Sequence, residues 1–274
     1  MKRVIALLVL SCVLLSGCTI TINTPATEET QGTLPTTAQT VPAETVEPET
    51  TVATEPVEAL PETVTVYLLE SSMLFDSGRI AYEYDDDNNI ISYTVYTIEN
   101  QPMYTATFDE LDLEGMPSSY SAHGQDYTIA YFEDGKLKEI QDGTGSYTGF
   151  QWDYNPRGDV SEKREYYEGI LQSAVYYEYE NGVLAAAYCE NKAGERVYEC
   201  QVENGLIVKS TYAETEGGHA YLYEYDENGN LISDSIVIDG ETWPNTTYTY
   251  RTVEVDYSRA CYLLEQQKLL FHVS

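Results

Sequence analysis

The chain has 274 residues, and its 46 Asp and Glu against 14 Lys and Arg give a formal net charge of -32. A surface this acidic repels phosphate backbones and anionic lipid headgroups, so nucleic acid is excluded as an expected partner. Tyrosine is unusually frequent, with 26 Tyr against 5 Phe and 2 Trp. It favours pleated surfaces that are half buried and half wet over a deep, dry core.

The first residues have the composition of an export signal. Lys2 and Arg3 precede a largely apolar run over residues 4–15. That run is too short to cross a bilayer and has the length of a signal-peptide core. No later segment is apolar over enough residues to span a membrane.

The apolar run ends in Leu15, Ser16, Gly17 and Cys18, a small-residue site closed by a cysteine. These four residues resemble the lipobox of bacterial lipoproteins. The resemblance implies that residues 1–17 are removed and that the Cys18 thiol carries diacylglycerol. The expected location is the extracytoplasmic face of a bacterial cell membrane, with the membrane as a partner through this anchor. The alternative is an ordinary secretory signal in which the cysteine has no role.

Residues 18–62 have a different composition. Residues 19–62 hold six prolines and eight glutamates, with no Lys, Arg or aromatic residue and no period of 2 or 3.6. Such a segment buries too little apolar surface to offset its chain entropy. We therefore expect a disordered Thr/Pro/Glu-rich tether, which could extend on the order of 100 Å.

Turn dipeptides recur through residues 63–274. In the later part of the chain the turn glycines follow one another every 23 or 24 residues, at Gly135, Gly158, Gly182, Gly205 and Gly229. A second series of turns lies halfway between them, so that a turn occurs every eleven or twelve residues. One expected turn, near residue 112, has only the weak acidic segment 109–112. Two interleaved series predict a continuous meander of β-hairpins, with type I′ turns at Asn-Gly and Asp-Gly.

Between the turns the residues alternate with period 2. Tyr221, Tyr223 and Tyr225 share one predicted face, and this alternation fixes the register. A two-residue loop at Asp134 and Gly135 would place Glu133 opposite Lys136 and Phe132 opposite Leu137. The same geometry at Asn181 and Gly182 would place Tyr179 opposite Leu184.

Residues 225–231, YDENGNL, resemble the YD repeats of Rhs-type and related cell-surface proteins, and weaker copies begin at Tyr84, Tyr154 and Tyr179. In Rhs proteins such repeats build a shell around a toxin. This chain is too short to enclose a domain, so the resemblance implies β-hairpin repeats and not that role.

The predicted fold is all-β, a long antiparallel meander of about 15 strands in a single curled sheet. A closed barrel or a two-sheet sandwich is the alternative, because wide twisted sheets curl or fold over. The C-terminal residues 262–271 are interpreted as a last hairpin, with a short amphipathic helix as the alternative.

The sequence indicates no catalytic motif and no metal site. Residues 85–89 and 226–230 are rich in oxygen ligands that suit Ca²⁺, although neither has the spacing of a calcium loop. Asx-rich hairpin turns account for both segments without a metal, so no cofactor is expected, and Ca²⁺ at these segments is the alternative.

Three cysteines remain after Cys12 and Cys18 are set aside: Cys189, Cys200 and Cys261. A hairpin loop at Gly194 and Glu195 would place Cys189 directly opposite Cys200, which is compatible with a cross-strand disulfide in an exported protein. Two tolerated thiols are the alternative.

Trp152 and Trp243 lie beside turn-rich regions, where they could stack on a ligand; structural packing along the sheet is the alternative. We therefore predict a lipid-anchored surface protein that acts as a binding or structural module through a tyrosine-rich sheet, with a protein or polysaccharide ligand. The alternative is an envelope enzyme that cleaves glycans with paired carboxylates near Trp152 or Trp243.

Overall fold

The computed structural model describes residues 63–273 except 113, 144–147 and 213–218. The predicted signal, lipobox and tether therefore lie outside the described residues. Within the described residues there are sixteen β-strands and one C-terminal helix. The elements are β1 Val64–Leu74, β2 Gly78–Tyr84, β3 Ile90–Tyr96, β4 Pro102–Leu111, β5 Pro117–Ala122, β6 Gln125–Tyr131, β7 Leu137–Asp142, β8 Gly149–Tyr154, β9 Val160–Tyr167, β10 Ile170–Glu180, β11 Val183–Asn191, β12 Arg196–Glu203, β13 Leu206–Tyr212, β14 Ala220–Tyr225, β15 Leu231–Ile238, β16 Glu241–Val255 and α1 Tyr257–Val273.

The strands form one closed barrel. Each strand pairs antiparallel with its neighbours in sequence, and β1 pairs with β16 to close the ring. The closing register places Val64 opposite Val255 and Leu74 opposite Thr246. The predicted all-β antiparallel meander is confirmed, and it takes the form of the closed barrel that the sequence left as an alternative.

The Asn-Gly turns at Asn181 and Asn204 have the predicted geometry. Asn181 and Gly182 both have positive φ, at 52° and 84°, as a type I′ turn requires. Tyr179 lies opposite Leu184, so this register is confirmed.

The turn at Asn228 and Gly229 does not have this geometry, because only Gly229 has positive φ there and the amide of Asp226 donates to the carbonyl oxygen of Asn230 at 2.9 Å.

The turn at Asp134 and Gly135 differs from the prediction. Only Gly135 has positive φ, at 80°, and the amide of Phe132 donates to the carbonyl oxygen of Lys136 at 2.9 Å. The loop therefore holds three residues, and Tyr131 faces Leu137 across a β-bulge. The predicted pairings of Glu133 with Lys136 and of Phe132 with Leu137 are wrong, and Lys136 binds the Asp134 carboxylate instead.

The weak turn expected within residues 109–112 lies slightly later in the chain. Strand β4 runs to Leu111, and the turn begins at Asp112, whose Oδ1 accepts a 2.8 Å hydrogen bond from the amide of Met116. An aspartate that bonds to the backbone of its own turn favours this position.

The two faces of the sheet differ sharply. Tyr221 and Tyr223 are buried inside the barrel. On the neighbouring strands β5 and β6, the rings of Tyr120 and Tyr127 stack with their centroids 4.4 Å apart. The outer wall is mostly polar on β4 to β8 and on β12 to β16. On β4 to β8 it presents Thr107, Ser121, Asp126, Thr128, Gln141 and Gln151, and on β12 to β16 Glu199, Gln201, Lys209, Thr211, Ser233 and Thr247.

Six lumen tyrosines form one recurring contact. Each lies in the C-terminal half of an even-numbered strand and donates its hydroxyl hydrogen to a backbone carbonyl oxygen of the preceding odd-numbered strand. That oxygen is near the start of its strand in every pair except Tyr84 with Leu69. The phenol thus buries its ring and still satisfies its polar group. The pairs, with distances of 2.7 to 3.0 Å, are Tyr84 with Leu69, Tyr131 with Pro117, Tyr154 with Leu137, Tyr179 with Val160, Tyr225 with Ile207 and Tyr250 with Leu231.

The C-terminal segment is a helix, so the predicted last hairpin is wrong. Helix α1 begins behind Asp256, whose Oδ1 accepts a 2.9 Å hydrogen bond from the amide of Arg259 as an N-cap does. Its buried side chains follow the helical period at Leu263, Gln266, Gln267 and Leu270. Two of them are glutamines, so the buried face does not stand out as an apolar stripe in the sequence.

In the described part of the chain, no helix combines the length and apolar composition needed to cross a membrane.

Candidate functional site

The two ends of the barrel are built differently. The plugged end is the one where β1 begins, at Val64, and where the turns after the even-numbered strands lie; the polar side chains of α1 reach strand amides there. The far end carries the turns after the odd-numbered strands. The chain therefore enters the barrel from residue 63 at the plugged end, and the far end points away from that entry.

Helix α1 is held in the plugged end by polar side chains that reach strand backbone. Gln267 Oε1 accepts a 2.8 Å hydrogen bond from the amide of Leu69, and Gln266 Oε1 accepts one of 3.0 Å from the amide of Ile90. Glu265 Oε2 accepts from the amide of Leu137 at 2.9 Å. Gln266 and Gln267 are 0% and 1% exposed, so these contacts are shielded from water and strong.

The helix also joins two turns of the plugged end. The guanidinium of Arg259 donates to the carbonyl oxygens of Asp87 and Glu114 and to the side-chain oxygen of Asn89. A cleft of about 630 Å³ lies here, and Asp86, Asp112 and Asp256 are among its acidic lining residues. Arg259 is therefore bonded to the wall of the cleft, and its guanidinium links the turn after β2 to the turn after β4.

The two oxygen-rich turns use their carboxylates internally. Asp85 Oδ1 accepts from the amides of Asp87 and Asn89 at 2.9 and 2.8 Å, and Asp85 Oδ2 accepts from Asn89 Nδ2. Asp226 makes the same three contacts in its own turn. Among the described residues no three His, Cys, Asp or Glu side chains are grouped as metal ligands. Asx-turn geometry therefore accounts for residues 85–89 and 226–230.

The two tryptophans lie in opposite environments. Trp152 is 1% exposed inside the barrel, with the Lys163 ammonium 5.8 Å from its ring centroid. The prediction that Trp152 stacks on a ligand is therefore wrong, because its ring is enclosed by the core. The neighbouring Asp153 faces outward and pairs with Arg164. Trp243 is 52% exposed near the start of β16 at the far end, where a ligand could reach it.

Exposed apolar side chains are concentrated at the far end. Of the eight large apolar residues that are more than half exposed in the described chain, seven lie on far-end hairpins, and the eighth is Val183 at the plugged end. Tyr167 and Ile170 lie on one side of the barrel. The others occupy three consecutive hairpins on the opposite side, and together with Ile238 they form what we call the far rim: Met73, Phe75, Ile98, Met103, Ile238 and Trp243.

Sequence reasoning missed the far rim apart from Trp243. Phe75 precedes Asp76 in a turn, and Ile98 precedes Glu99 in the next turn of this end. Apolar residues in turns follow neither the strand period of 2 nor the helix period of 3.6, so a search for periodicity does not detect them. Their presence at hairpin tips, where polar residues are usual, was the available signal.

The predicted opposition of Cys189 and Cys200 is wrong. Cys189 faces Tyr198 and Cys200 faces Ala187, with a bulge beside Cys189. The loop begins at Asn191, whose Oδ1 accepts from the amide of Glu195 at 3.1 Å, so it is longer than a two-residue turn. Neither cysteine is in a disulfide in the structure.

The lumen contains buried charged groups as well as tyrosines. Asp234 is 1% exposed and accepts hydrogen bonds from Asn245 Nδ2 and, at 3.0 Å, from the Tyr248 hydroxyl. Burial raises the pKa of the Asp234 carboxyl above its usual value, and these hydrogen bonds oppose the rise. The hydrogen bonds offset part of the cost of burying this carboxyl, which is closed to solvent.

No protein-family model and no curated protein sequence matches the chain. Among solved structures, the chain is similar to a porin-like protein from Bacteroides uniformis, at 15% identity over 69% of this chain and 97% of that chain, with a TM-score of 0.43. A porin-like protein from Bacteroides vulgatus is similar at 12% identity over 67% and 99%, with a TM-score of 0.38. The Photorhabdus luminescens Tc holotoxin pore is similar at 12% identity over 70% of this chain but 15% of that chain, with a TM-score of 0.31.

Proposed function

We propose that the chain is a membrane-anchored surface lipoprotein whose barrel is a binding module, with the far rim as the binding surface. The observation that carries the proposal is the difference between the two ends of the barrel. The tether would join at the plugged end, at residue 63, whereas the exposed apolar side chains lie at the opposite end. An anchor at Cys18 would then leave the far rim facing away from the membrane.

The outer wall supports a barrel that stands in water. Thr107, Thr128, Gln141 and Gln201 point outward from the strands. A strand wall in contact with lipid would present apolar side chains at such positions. A lipid on Cys18 supplies the membrane contact that this wall does not provide.

The interior supports a rigid scaffold for the far rim. The tyrosine hydroxyls bond strand to strand within the lumen, and α1 bonds to β1, β3 and β7 at the plugged end. Binding residues are commonly carried on loops that a rigid framework positions. The far-end hairpins fit that description, because their exposed side chains do not contribute to the buried core.

The anchor is tested by producing the full chain and a Cys18→Ser variant in a bacterium that processes lipoproteins. We expect the wild-type chain in the membrane fraction with incorporated fatty acid, and the variant released without it. A wild-type chain that takes up no fatty acid would end the lipoprotein proposal.

The binding surface is tested by capture from envelope polysaccharide and secreted protein, with the mature Cys18→Ser chain as bait. A Phe75→Ser/Ile98→Ser variant should lose whatever the parent chain retains. A matched Val183→Ser/Ile232→Ser variant changes exposed apolar residues at the plugged end and should retain it. Equal capture by both variants would show that the far rim is not the binding surface.

A further inference from the structure

We infer that the far rim binds a cationic amphipathic segment of a partner protein. This inference rests on the proposed binding function and names its partner class. The far rim joins two properties on the same three hairpins: exposed apolar side chains and exposed carboxylates. A partner that matches both must carry apolar residues beside Lys or Arg.

The apolar part of the surface lies on three adjacent hairpins on one side of the barrel. The hairpins β15–β16, β1–β2 and β3–β4 are consecutive in the ring, and the amide of Phe75 donates a 2.8 Å hydrogen bond to the carbonyl oxygen of Asn245, which ties two of them together. Ile98 and Met103 are 66% and 61% exposed on the third. Exposed apolar side chains that are concentrated on neighbouring hairpins are typical of interaction sites on water-surrounded proteins.

The charge on these hairpins is mainly negative. Asp76, Glu99, Asp239 and Glu241 are all exposed there. Within residues 73–79, 96–103 and 238–243, all of them described, Arg79 is the one basic residue. Its Nε donates to Asn100 Oδ1 at 2.8 Å, and its guanidinium carbon lies 4.1 Å from the centroid of the Tyr96 ring. Arg79 is thus already bonded within its own hairpins, and the acidic groups face solvent.

This charge pattern separates the partner classes. A second copy of the chain, at -32, would be repelled, as would an anionic lipid surface. A neutral glycan would bind by stacking on aromatic faces, but four of the six far-rim residues are aliphatic or Met. A cationic segment with an apolar face gains both from contact with the far rim and from charge pairing.

The span of the far rim suits a helix. Six neighbouring strands, β15 to β4 in ring order, cover about 24 Å at about 4.8 Å between strands. A helix of about 16 residues has the same length. An amphipathic helix laid across the three hairpins would therefore meet all of the far rim.

The test uses the mature Cys18→Ser chain and a model peptide of about 18 leucines and lysines, with the leucines along one helical face. Because Trp152 is enclosed and Trp243 is exposed, tryptophan emission reports on the far rim. We expect a shift of emission to shorter wavelength at about 0.15 M salt, with affinity about tenfold tighter than for a scrambled peptide of the same composition. A Trp243→Phe variant should bind without the shift.

Two pairs of matched variants locate the site. Phe75→Ser/Ile98→Ser should weaken binding about tenfold, whereas Val183→Ser/Ile232→Ser should not. Replacing Asp76, Glu99, Asp239 and Glu241 by their amides should also weaken it about tenfold. The matched control removes four exposed acids from the plugged end, by D86N, D87N, E133Q and E227Q. It should have much less effect on binding, because the net charge changes by the same amount but far from the far rim.

The inference is overturned if the scrambled peptide binds as tightly, if the plugged-end variants weaken binding as much as the far-rim variants, or if the peptide does not bind. The capture experiment then separates the two proposals. If Phe75→Ser/Ile98→Ser still loses the captured envelope partner, the binding function stands and only the partner class is wrong. If that variant loses nothing in either assay, both proposals fail.

Discussion

The hydroxyl of Tyr154 donates a 2.7 Å hydrogen bond to the carbonyl oxygen of Leu137, while the amide of the same leucine donates to Glu265 Oε2 at 2.9 Å. Leu137 opens β7 beside a β-bulge, where the strand ladder is locally interrupted. A tyrosine at the end of the next strand and a carboxylate of α1 therefore satisfy the two polar groups of one buried backbone position. Burial raises the pKa of the Tyr154 phenol further above its usual value, so it stays a hydrogen-bond donor.

We expect Tyr225→Phe to lower the free energy of unfolding by about 1 to 3 kcal/mol, because the carbonyl of Ile207 loses its 2.8 Å partner in a buried place. Tyr167→Phe is the control, since Tyr167 is 57% exposed. Denaturant unfolding monitored by far-UV circular dichroism measures both. Equal stabilities for the two variants would show that the lumen tyrosines act through their rings alone.

We expect Gln266→Leu to destabilise the chain by about 2 to 5 kcal/mol, since two buried backbone groups each lose a partner. Gln266 Oε1 accepts from the amide of Ile90, and Gln266 Nε2 donates to the carbonyl oxygen of Gly115 at 3.0 Å. Cys261→Ala, at an exposed position of the same helix, should be close to neutral. If Gln266→Leu is as stable as the parent chain, α1 is held by apolar packing rather than by these hydrogen bonds.

The cysteines should differ in reactivity toward a thiol reagent. Cys261 is exposed and should react in the native state, whereas Cys189 is buried and should react after unfolding. Burial raises the pKa of the Cys200 thiol to about 12, so little thiolate forms at neutral pH and Cys200 should also be slow. Mass mapping of the labelled Cys18→Ser chain measures each site. A peptide that links Cys189 to Cys200 before reduction would contradict the structure.

Asp234 should make stability depend on pH in a defined direction. Its pKa is raised in the folded chain, so the folded state binds more protons than the unfolded state between the unfolded pKa, about 3.9, and the raised value. Stability contributed by this group therefore increases as pH falls through the raised pKa. Relative to Asp234→Asn, the parent chain should gain stability as the pH falls from neutral toward the unfolded pKa of about 4. A difference that is constant with pH would show that Asp234 titrates normally.

Features that depend on a single turn or on strand alternation could be predicted from the sequence. The Asn181-Gly182 turn set Tyr179 opposite Leu184, and the alternation placed Tyr221 and Tyr223 on the buried face. The three-residue loops at Asp134 and Asn191 shifted the register of Lys136 and Cys189, because an Asx side chain bonded the backbone and a bulge followed.

Other features depend on contacts between distant parts of the chain. Closure requires β1 to meet β16, and no turn signal records that pairing. The buried face of α1 contains Gln266 and Gln267, whose partners are backbone amides and carbonyls of strands far away in sequence. The far rim combines Phe75, Ile98 and Trp243 from three hairpins, and a linear pattern cannot show that they share one surface.

Because β16 pairs with β1 and closes the ring, the last strand also protects the chain from self-association through open strand edges. Every other strand can pair with a neighbour in sequence as soon as both exist, but β1 has no partner on one edge until residues 241–255 arrive. An exposed strand edge is a template for other chains. A chain that lacks β16 would therefore carry two open edges, at β1 and β15, and would be expected to add copies edge to edge into oligomers instead of closing as a monomer.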